Sequence, residues 1–302
     1  ENVSTATVAA NLAIKLGREV LRPGAVERLH ELSRFVYDAA GLSPHAGQPY
    51  VGDGAFAHKG GMHVHAVQKL AHSYEHVPPG SVGNQRQIIV SELSGASNIA
   101  AAVGEKFGIT DDKAAQRRIL ERVQDLEHEG YQFEHARASY ELLVYETLGK
   151  RPAFWELDHY RCIITRIGGD PAQPVSTEAT VKLLINGEPA HHVAEGDGPV
   201  NALDAALRAG LLPHYPALAG VHLVDYQVRV VNPTAESAAK VRVTVQFAIG
   251  LEDPRCETRY FSTVGVDTNI IDASWHAIAD AFAYHLIESA GRVGVGGVEA
   301  RV

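Results

Sequence analysis

The segment Ala57–His65 carries the densest set of side chains that could do chemistry. His58, His63 and His65 fall within eight residues of one another. Imidazole titrates near neutral pH, so one of them could act as a general acid or base, and His-x-His is also a known metal-ligand spacing. The nearest acidic residues, Asp53 and Glu75, have no recognised ligand spacing. From the residues alone, a loop with surface histidines is the simpler interpretation, because the chain holds 16 histidines.

A glycine turn precedes a predicted helix at Gly196-Asp197-Gly198. Exposed backbone N–H groups at a helix N-terminus could hold a small carboxylate such as that of an amino acid, or the turn could simply cap the helix. A dinucleotide site is not predicted, because position 201 is Asn where the third glycine of that fingerprint would stand.

Three arginines, Arg117, Arg118 and Arg122, cluster on another predicted helix. They could contact the phosphates of CoA, but a solvated helix face is the simpler interpretation.

The composition limits the kind of protein. A length of 302 residues predicts two or three domains, and a net charge of −9 argues against a nucleic-acid binder. No apolar run approaches the length of a membrane span, which predicts a cytoplasmic protein. Cys162 and Cys256 each stand alone, so neither a zinc ribbon nor a disulfide scaffold is expected.

The first half predicts helices that must position these side chains. Val8, Leu12 and Leu16 form a stripe ended by Gly17, and residues 25–40 place Val26, Leu29, Leu32 and Val36 on one face. Further helices are predicted over residues 66–71, 98–108, 111–129 with Thr110 as the cap, and 134–148. Residues 41–87 otherwise read as irregular.

The second half predicts two rounds of three strands and a helix. The first round is strands over 160–167, 179–185 and 191–194 and a helix over 199–209; the second is strands over 223–231, 241–249 and 258–264 and a helix over 268–287. Asn201–Ala205 and Asn269–Ala273 are matching words 68 residues apart. A duplicated βββα unit predicts a helix-backed antiparallel sheet that packs onto its copy and onto a second chain.

Several long sequence motifs resemble those of the citramalate synthase and 2-isopropylmalate synthase family, and most of all its citramalate synthase branch. They are Pro49–Gly52, Ala55–His63, Tyr74–Val77, Val82–Asn84, Val90–Gly95, Gly130–Glu134, Ser139–Leu143 and Glu195–Asp204. The implied fold class is α+β, with the last helix of a TIM barrel and a following helix over 1–40. Helical linker subdomains over 41–154, a duplicated βββα regulatory (dimerisation) domain over 155–290 and a flexible tail over 291–302 complete it.

The resemblance implies an acyltransferase that joins acetyl-CoA to a 2-oxoacid and releases CoA. Citramalate synthases take pyruvate and lead to isoleucine, whereas 2-isopropylmalate synthases take 2-oxoisovalerate and lead to leucine. The barrel's own motifs are not found here, so we expect this chain to be a C-terminal portion without turnover by itself. Homodimerisation is implied as well.

The resemblance also implies residue roles. His63 and Tyr74 match a His and a Tyr that act on the partner subunit's barrel, and Asn2 matches a ligand of a divalent metal (Mg, Mn or Zn) that this chain alone is not expected to bind. An isoleucine or leucine effector is expected to contact residues between the two βββα units: Val200, Asn201, Leu223, Asp225, Tyr226 and Val230.

Two alternatives from other classes remain open. The chain could be a stand-alone dimeric regulator that binds a branched-chain amino acid without catalysis. It could also be a metal-binding protein built on His58, His63 and His65.

Overall fold

The computed structural model describes residues 4–42, 44–89, 96–166, 168, 175–231, 239–251 and 258–295. The chain divides into two compact units, Glu1–Gln124 and Asp125–Val302. Within the described residues, no helix combines the length and the apolar character needed to cross a membrane.

The first unit is mainly helical. Its elements are α1 (Thr5–Ala10), α2 (Leu29–Ala39), β1 (Ala57–His58), α3 (Gly61–Lys69), β2 (Gln87–Ile88), α4 (Ala96–Phe107) and most of α5 (Lys113–Glu129). Short 3₁₀ turns at Val26–Arg28, Ala71–Ser73 and Pro79–Val82 connect them. The helix predicted over 66–71 is α3, which begins five residues earlier and ends at Lys69. The segment otherwise predicted as irregular also contributes to two short parallel strands, with Ala57 opposite Gln87 and His58 opposite Ile88.

The predicted stripe of the first helix is not the buried one. A π-helical turn at Asn11–Lys15 follows α1, and its wider turn breaks the spacing-of-four pattern. Ala9 and Ala10 are buried, whereas Val8 and Leu16 are exposed. Ser4 caps α1, since its Oγ accepts a hydrogen bond from the N–H of Thr7 at 3.5 Å.

Two further helix predictions need correction. Among the residues of α2 whose burial is described, Leu29 alone is buried. Leu32 and Val36 are more than half exposed, so the described residues of this unit leave most of the predicted apolar face uncovered. Helix α5 is capped by Asp112, whose Oδ1 accepts from the N–H of Ala115 at 2.9 Å, and not by Thr110.

The second unit holds two antiparallel sheets. After α6 (Arg137–Thr147) come β3 (Glu156–Thr165), β4 (Ser176–Ile185), β5 (Glu188–Gly196) and α7 (Pro199–Leu211); then β6 (Val221–Val230), β7 (Val241–Ile249), β8 (Arg259–Asp267) and α8 (Ile270–Val295). The sheet orders are β3-β4-β5 and β6-β7-β8. Three strands and a helix thus occur twice in this order.

Both sheets and both following helices share one core. The central strands bury alternate residues, among them Leu183 in β4 and Val245 in β7, because their neighbours on the chain point to the other face. Helices α7 and α8 bury Leu207 and Phe282 against them.

Helix α8 continues past the predicted start of the tail at residue 291 and ends at Val295. A glycine inside a helix costs about 1 kcal/mol relative to alanine, and Gly291 is evidently tolerated near the end of a long packed helix. Residues 296–302 lie outside the described residues.

Candidate functional site

His63 and Tyr74 stack on one another in the first unit. Their ring centroids are 4.1 Å apart and the ring planes meet at 26°. Both rings are open to solvent, with Tyr74 49% exposed. The two residues predicted to act together therefore form one exposed pair.

Helix α3 fixes the direction of His63. Val64 and Val67 are buried and anchor one face of the helix, so His63 and His65 are left on exposed faces. Gly60 provides the N-cap of α3, and its Cα–H side faces the His63 ring, where an added Cβ would lie 3.7 Å from Cγ. Tyr74 lies at the end of the 3₁₀ turn Ala71–Ser73.

His58, the first histidine of the segment, is not part of this exposed pair. His58 is buried, and its Nε2 donates to Glu75 Oε1 at 3.0 Å. The three histidines therefore do not converge. Within the described ranges there is no group of three His, Cys, Asp or Glu side chains that could hold a metal ion. The proposed metal ligand Asn2 lies outside the described residues.

Glu75 is the buried centre of a charge cluster with His58 and the exposed Arg86, which sequence reasoning did not identify. Arg86 grips its carboxylate with two hydrogen bonds, from Nε to Oε1 at 2.6 Å and from Nη2 to Oε2 at 2.7 Å. Hydrogen bonding from Arg86 lowers the pKa of Glu75, with a smaller lowering from His58, and burial opposes both. The available signals were the closeness of Glu75 to the histidine segment and its position next to Tyr74 in the Tyr74–Val77 motif.

The six residues predicted to contact an effector fall into two groups. Val200 packs partly buried against the core at the start of α7, and Asn201 Oδ1 accepts from the N–H of Asp197 at 3.2 Å. This bond ties the first turn of α7 back to the glycine turn. An added Cβ on Gly196 would lie 2.5 Å from the backbone nitrogen of Ala202, so this position needs glycine.

The other four lie on β6, in the second sheet. Tyr226 is partly buried and its hydroxyl shares a 2.8 Å hydrogen bond with Ser274 of α8. Asp225 Oδ1 accepts from the N–H of Tyr226 at 3.0 Å. Leu223 and Val230 are exposed, Val230 to 55%.

The first strands of the two sheets have matching irregularities. The register shifts between Leu157 and His159 in β3 and between Leu223 and Asp225 in β6, each time against the central strand. Two residues after each extra residue stands a tyrosine that contacts α8: Tyr160 bonds Asp272 and Tyr226 bonds Ser274.

The arginine cluster of α5 lies on a solvated helix face at Arg117. Arg117 Nε donates to Glu121 at 3.0 Å, and both side chains are largely exposed. Such i,i+4 pairs are typical of a helix surface. The interpretation as a contact for CoA phosphates gains no support from this pair.

The fold and the exposed pair define a mixed α+β protein with a helical unit and a sheet-and-helix unit. Residues 134–286 match the family model described as the LeuA allosteric (dimerisation) domain, and residues 50–131 match the homocitrate synthase post-HMGL domain-like model. The chain therefore belongs to the family that carries the LeuA allosteric domain, which confirms the predicted resemblance.

The curated relatives agree with this assignment. The chain is 40% identical over 289 residues to an (R)-citramalate synthase of Aquifex aeolicus, covering 95% of this chain and 53% of the relative. It is 42% identical to that of Geobacter sulfurreducens, with 95% and 53% covered, and 41% identical to that of Synechocystis sp., with 94% and 51% covered. The chain thus spans about half the length of these relatives.

Proposed function

We propose that this chain is the C-terminal part of a citramalate-synthase-like acyltransferase that condenses acetyl-CoA with a 2-oxoacid, pyruvate being the expected one. The observation that carries the proposal is the exposed His63–Tyr74 pair in a chain similar over almost its whole length to (R)-citramalate synthases. An exposed, stacked imidazole and phenol can approach a substrate held by another surface.

The reaction needs a proton moved at the acetyl methyl group. Loss of that proton gives an enolate carbon that attacks the 2-oxoacid carbonyl, and water then cleaves the thioester and releases CoA. His63 can accept or return the methyl proton, and the Tyr74 hydroxyl can donate a hydrogen bond to the oxygen that becomes charged. Stacking restricts both rings, which reduces the entropy lost when the reacting geometry forms.

A divalent metal belongs to the complete enzyme in this proposal, where it would polarise the 2-oxoacid carbonyl. The described residues do not fit such a site by themselves. We therefore expect the isolated chain to show no turnover.

The second unit is proposed to sense a branched-chain amino acid and to pair with a second copy of the chain. The two βββα units are proposed to be copies, supported by the matching strand irregularities and the matching tyrosines. Exposed apolar side chains on the two first strands suit an interface between chains: Leu157, Ile163, Ile164, Leu223, Val228 and Val230.

Two measurements test the regulatory part. Calorimetry of the chain with isoleucine and leucine should give saturable heat with one of them. Sedimentation should give twice the chain mass, and the change Val230→Asp should reduce it to the single mass. An absence of heat with both amino acids contradicts the sensing role.

The catalytic part is tested in the complete gene product that contains this chain. The change His63→Ala should lower kcat for CoA release from acetyl-CoA and pyruvate by about 10²–10⁴-fold, the usual contribution of a positioned acid or base. The change His65→Ala is the matched control, because His65 lies exposed on the same helix. Equal activity of both variants contradicts the assignment of His63.

A stand-alone regulator is the second candidate, favoured by the match of half the chain to an allosteric domain. It predicts amino-acid binding by a gene product no longer than this chain. An immunoblot of source-cell extract separates the two candidates, because the acyltransferase requires a band larger by about one barrel, roughly 250 residues.

A further inference from the structure

Glu75 joins the two segments that carry the exposed ring pair. We infer that Glu75, clamped between Arg86 and His58, is a positioning residue that holds Tyr74 in register with His63 for the reaction. This inference rests on the proposed function, since it gives the pair its purpose.

The clamp uses the whole carboxylate. Glu75 is only 3% exposed, and its two oxygens accept three hydrogen bonds, two from Arg86 and one from His58. Bidentate binding by guanidinium fixes the orientation of a carboxylate as well as its location. The side chain of Glu75 therefore has a single well-defined place.

The two donors come from the paired strands. His58 is the last residue of β1, and Arg86 directly precedes β2. The strands are tied by backbone bonds from Gln87 N–H to the carbonyl of Phe56 and from Ile89 N–H to that of His58, both at 3.0 Å. Glu75 is thus hydrogen-bonded to residues at the β1–β2 strand pair.

Both rings are close in sequence to the residues of this cluster. Tyr74 is the chain neighbour of Glu75, and its hydroxyl makes no hydrogen bond within the part of the chain that the structure describes. His63 follows His58 by five residues, across the cap Gly60 and the first turn of α3. Releasing Glu75 would leave Tyr74 with the stacking contact and the 3₁₀ turn as its restraints.

Simple stabilisation is a weak explanation for this cluster. The Arg86 side chain is 36% exposed, and ion pairs that are open to solvent usually contribute little to stability. The geometry offers a more specific role, because the clamped residue is the chain neighbour of Tyr74, one member of the pair. Orientation is what bidentate pairing provides beyond energy.

The test measures the stack in the chain itself, by NMR of protein with ¹³C-labelled histidine. The Tyr74 ring should displace the His63 ring-proton signals upfield and give cross-peaks between the two rings. His63→Ala assigns the signals, and Tyr74→Leu defines the unstacked position. In Glu75→Gln we expect at least half of the upfield displacement and the cross-peaks to be lost while the other histidine signals stay dispersed.

Glu31→Gln is the matched control. It breaks the bidentate Arg28–Glu31 pair of the same unit, which is exposed and distant in sequence from both rings. It should leave the His63 signals unchanged. A folded Glu75→Gln protein with the full displacement overturns the inference.

Arg86→Lys decides the question if Glu75→Gln does not fold. Lysine keeps the positive charge but not the two-pronged contact. A reduced displacement supports the inference, and an unchanged one overturns it.

Kinetics of the complete gene product separate this inference from the proposed function. Glu75→Gln should lower kcat by about 10–10²-fold, the range expected for an ångström-scale misplacement, while KM changes less than about twofold. If His63→Ala left kcat unchanged, the proposed function would fail, and the NMR result would still decide whether Glu75 positions the rings.

Discussion

Replacing Gly265 by alanine should open the second unit along the contact between β8 and α8. Gly265 lies in β8 between the buried residues Val264 and Val266. A Cβ added there would lie 2.1 Å from the carbonyl oxygen of Ala273 and 3.0 Å from the backbone nitrogen of Ala277. Both clashing atoms are backbone atoms of α8, so no side-chain rotation relieves them.

The geometry sets the size of the effect. Heavy atoms pack well at about 3.5 Å, so strand and helix would have to separate by about 1.4 Å. Overpacking a core costs about 1–3 kcal/mol, and this site belongs at the upper end because the backbone must move. We expect the free energy of unfolding to fall by about 3 kcal/mol, a large part of the 5–15 kcal/mol typical of a domain.

Urea unfolding followed by far-UV circular dichroism measures this change as a lower midpoint at constant slope. Gly220→Ala is the control, since Gly220 has nothing within 4 Å of an added Cβ and no left-handed backbone angle. Its midpoint should stay close to that of the unchanged chain. Equal midpoints for the two variants would show that β8 and α8 do not approach as closely as described.

Three further predictions concern polar groups. Tyr160→Phe should lower the free energy of unfolding by about 1–2 kcal/mol in urea, because it removes the hydrogen bond to Asp272. Glu75 has a pKa lowered by Arg86, so its stabilising contribution is complete above its unfolded pKa, about 4.3, and is lost as the pH falls through the folded value. Thermal midpoints from pH 6 to pH 3 should therefore fall more steeply in the unchanged chain than in Glu75→Gln. Burial lowers the pKa of His285, so unfolding takes up a proton below about pH 6.5, and stability falls as the pH drops from there towards the pKa of the folded state. His285→Gln should make the thermal midpoint depend less on pH between pH 7 and pH 5. An unchanged pH dependence would contradict the burial of a neutral ring.

The second unit was the more predictable half. The strand predicted over 241–249 has the bounds that β7 has, and apolar and polar residues alternate over 241–247. The helix over 199–209 was also placed within two residues of α7, which ends at Leu211. Periodicity succeeds here because each element buries one face on a shared core.

The first unit shows where periodicity fails. The spacing of Val8 and Leu16 does not indicate the π-helical turn that follows α1. The exposure of Leu32 on α2 depends on which face of the helix the rest of the unit packs against. Neither is a local property of the sequence.

The candidate site also has a part that the sequence predicted and a part that it did not. His63 and Tyr74 were identified through family motifs, and the structure places their rings in contact. The clamp on Glu75 joins residues 11 and 17 positions apart through hydrogen bonds, and no repeating pattern marks such a pairing. Whether Val200 lies near the β6 residues could not be predicted from the sequence, because that distance depends on how the two sheets pack.

The most direct test of the central claim is CoA release from acetyl-CoA and pyruvate by the complete gene product. We predict turnover in the unchanged protein, loss of most of it in His63→Ala, and retention in His65→Ala. Turnover that survives in His63→Ala, or no CoA release with pyruvate from the unchanged protein, would contradict the account.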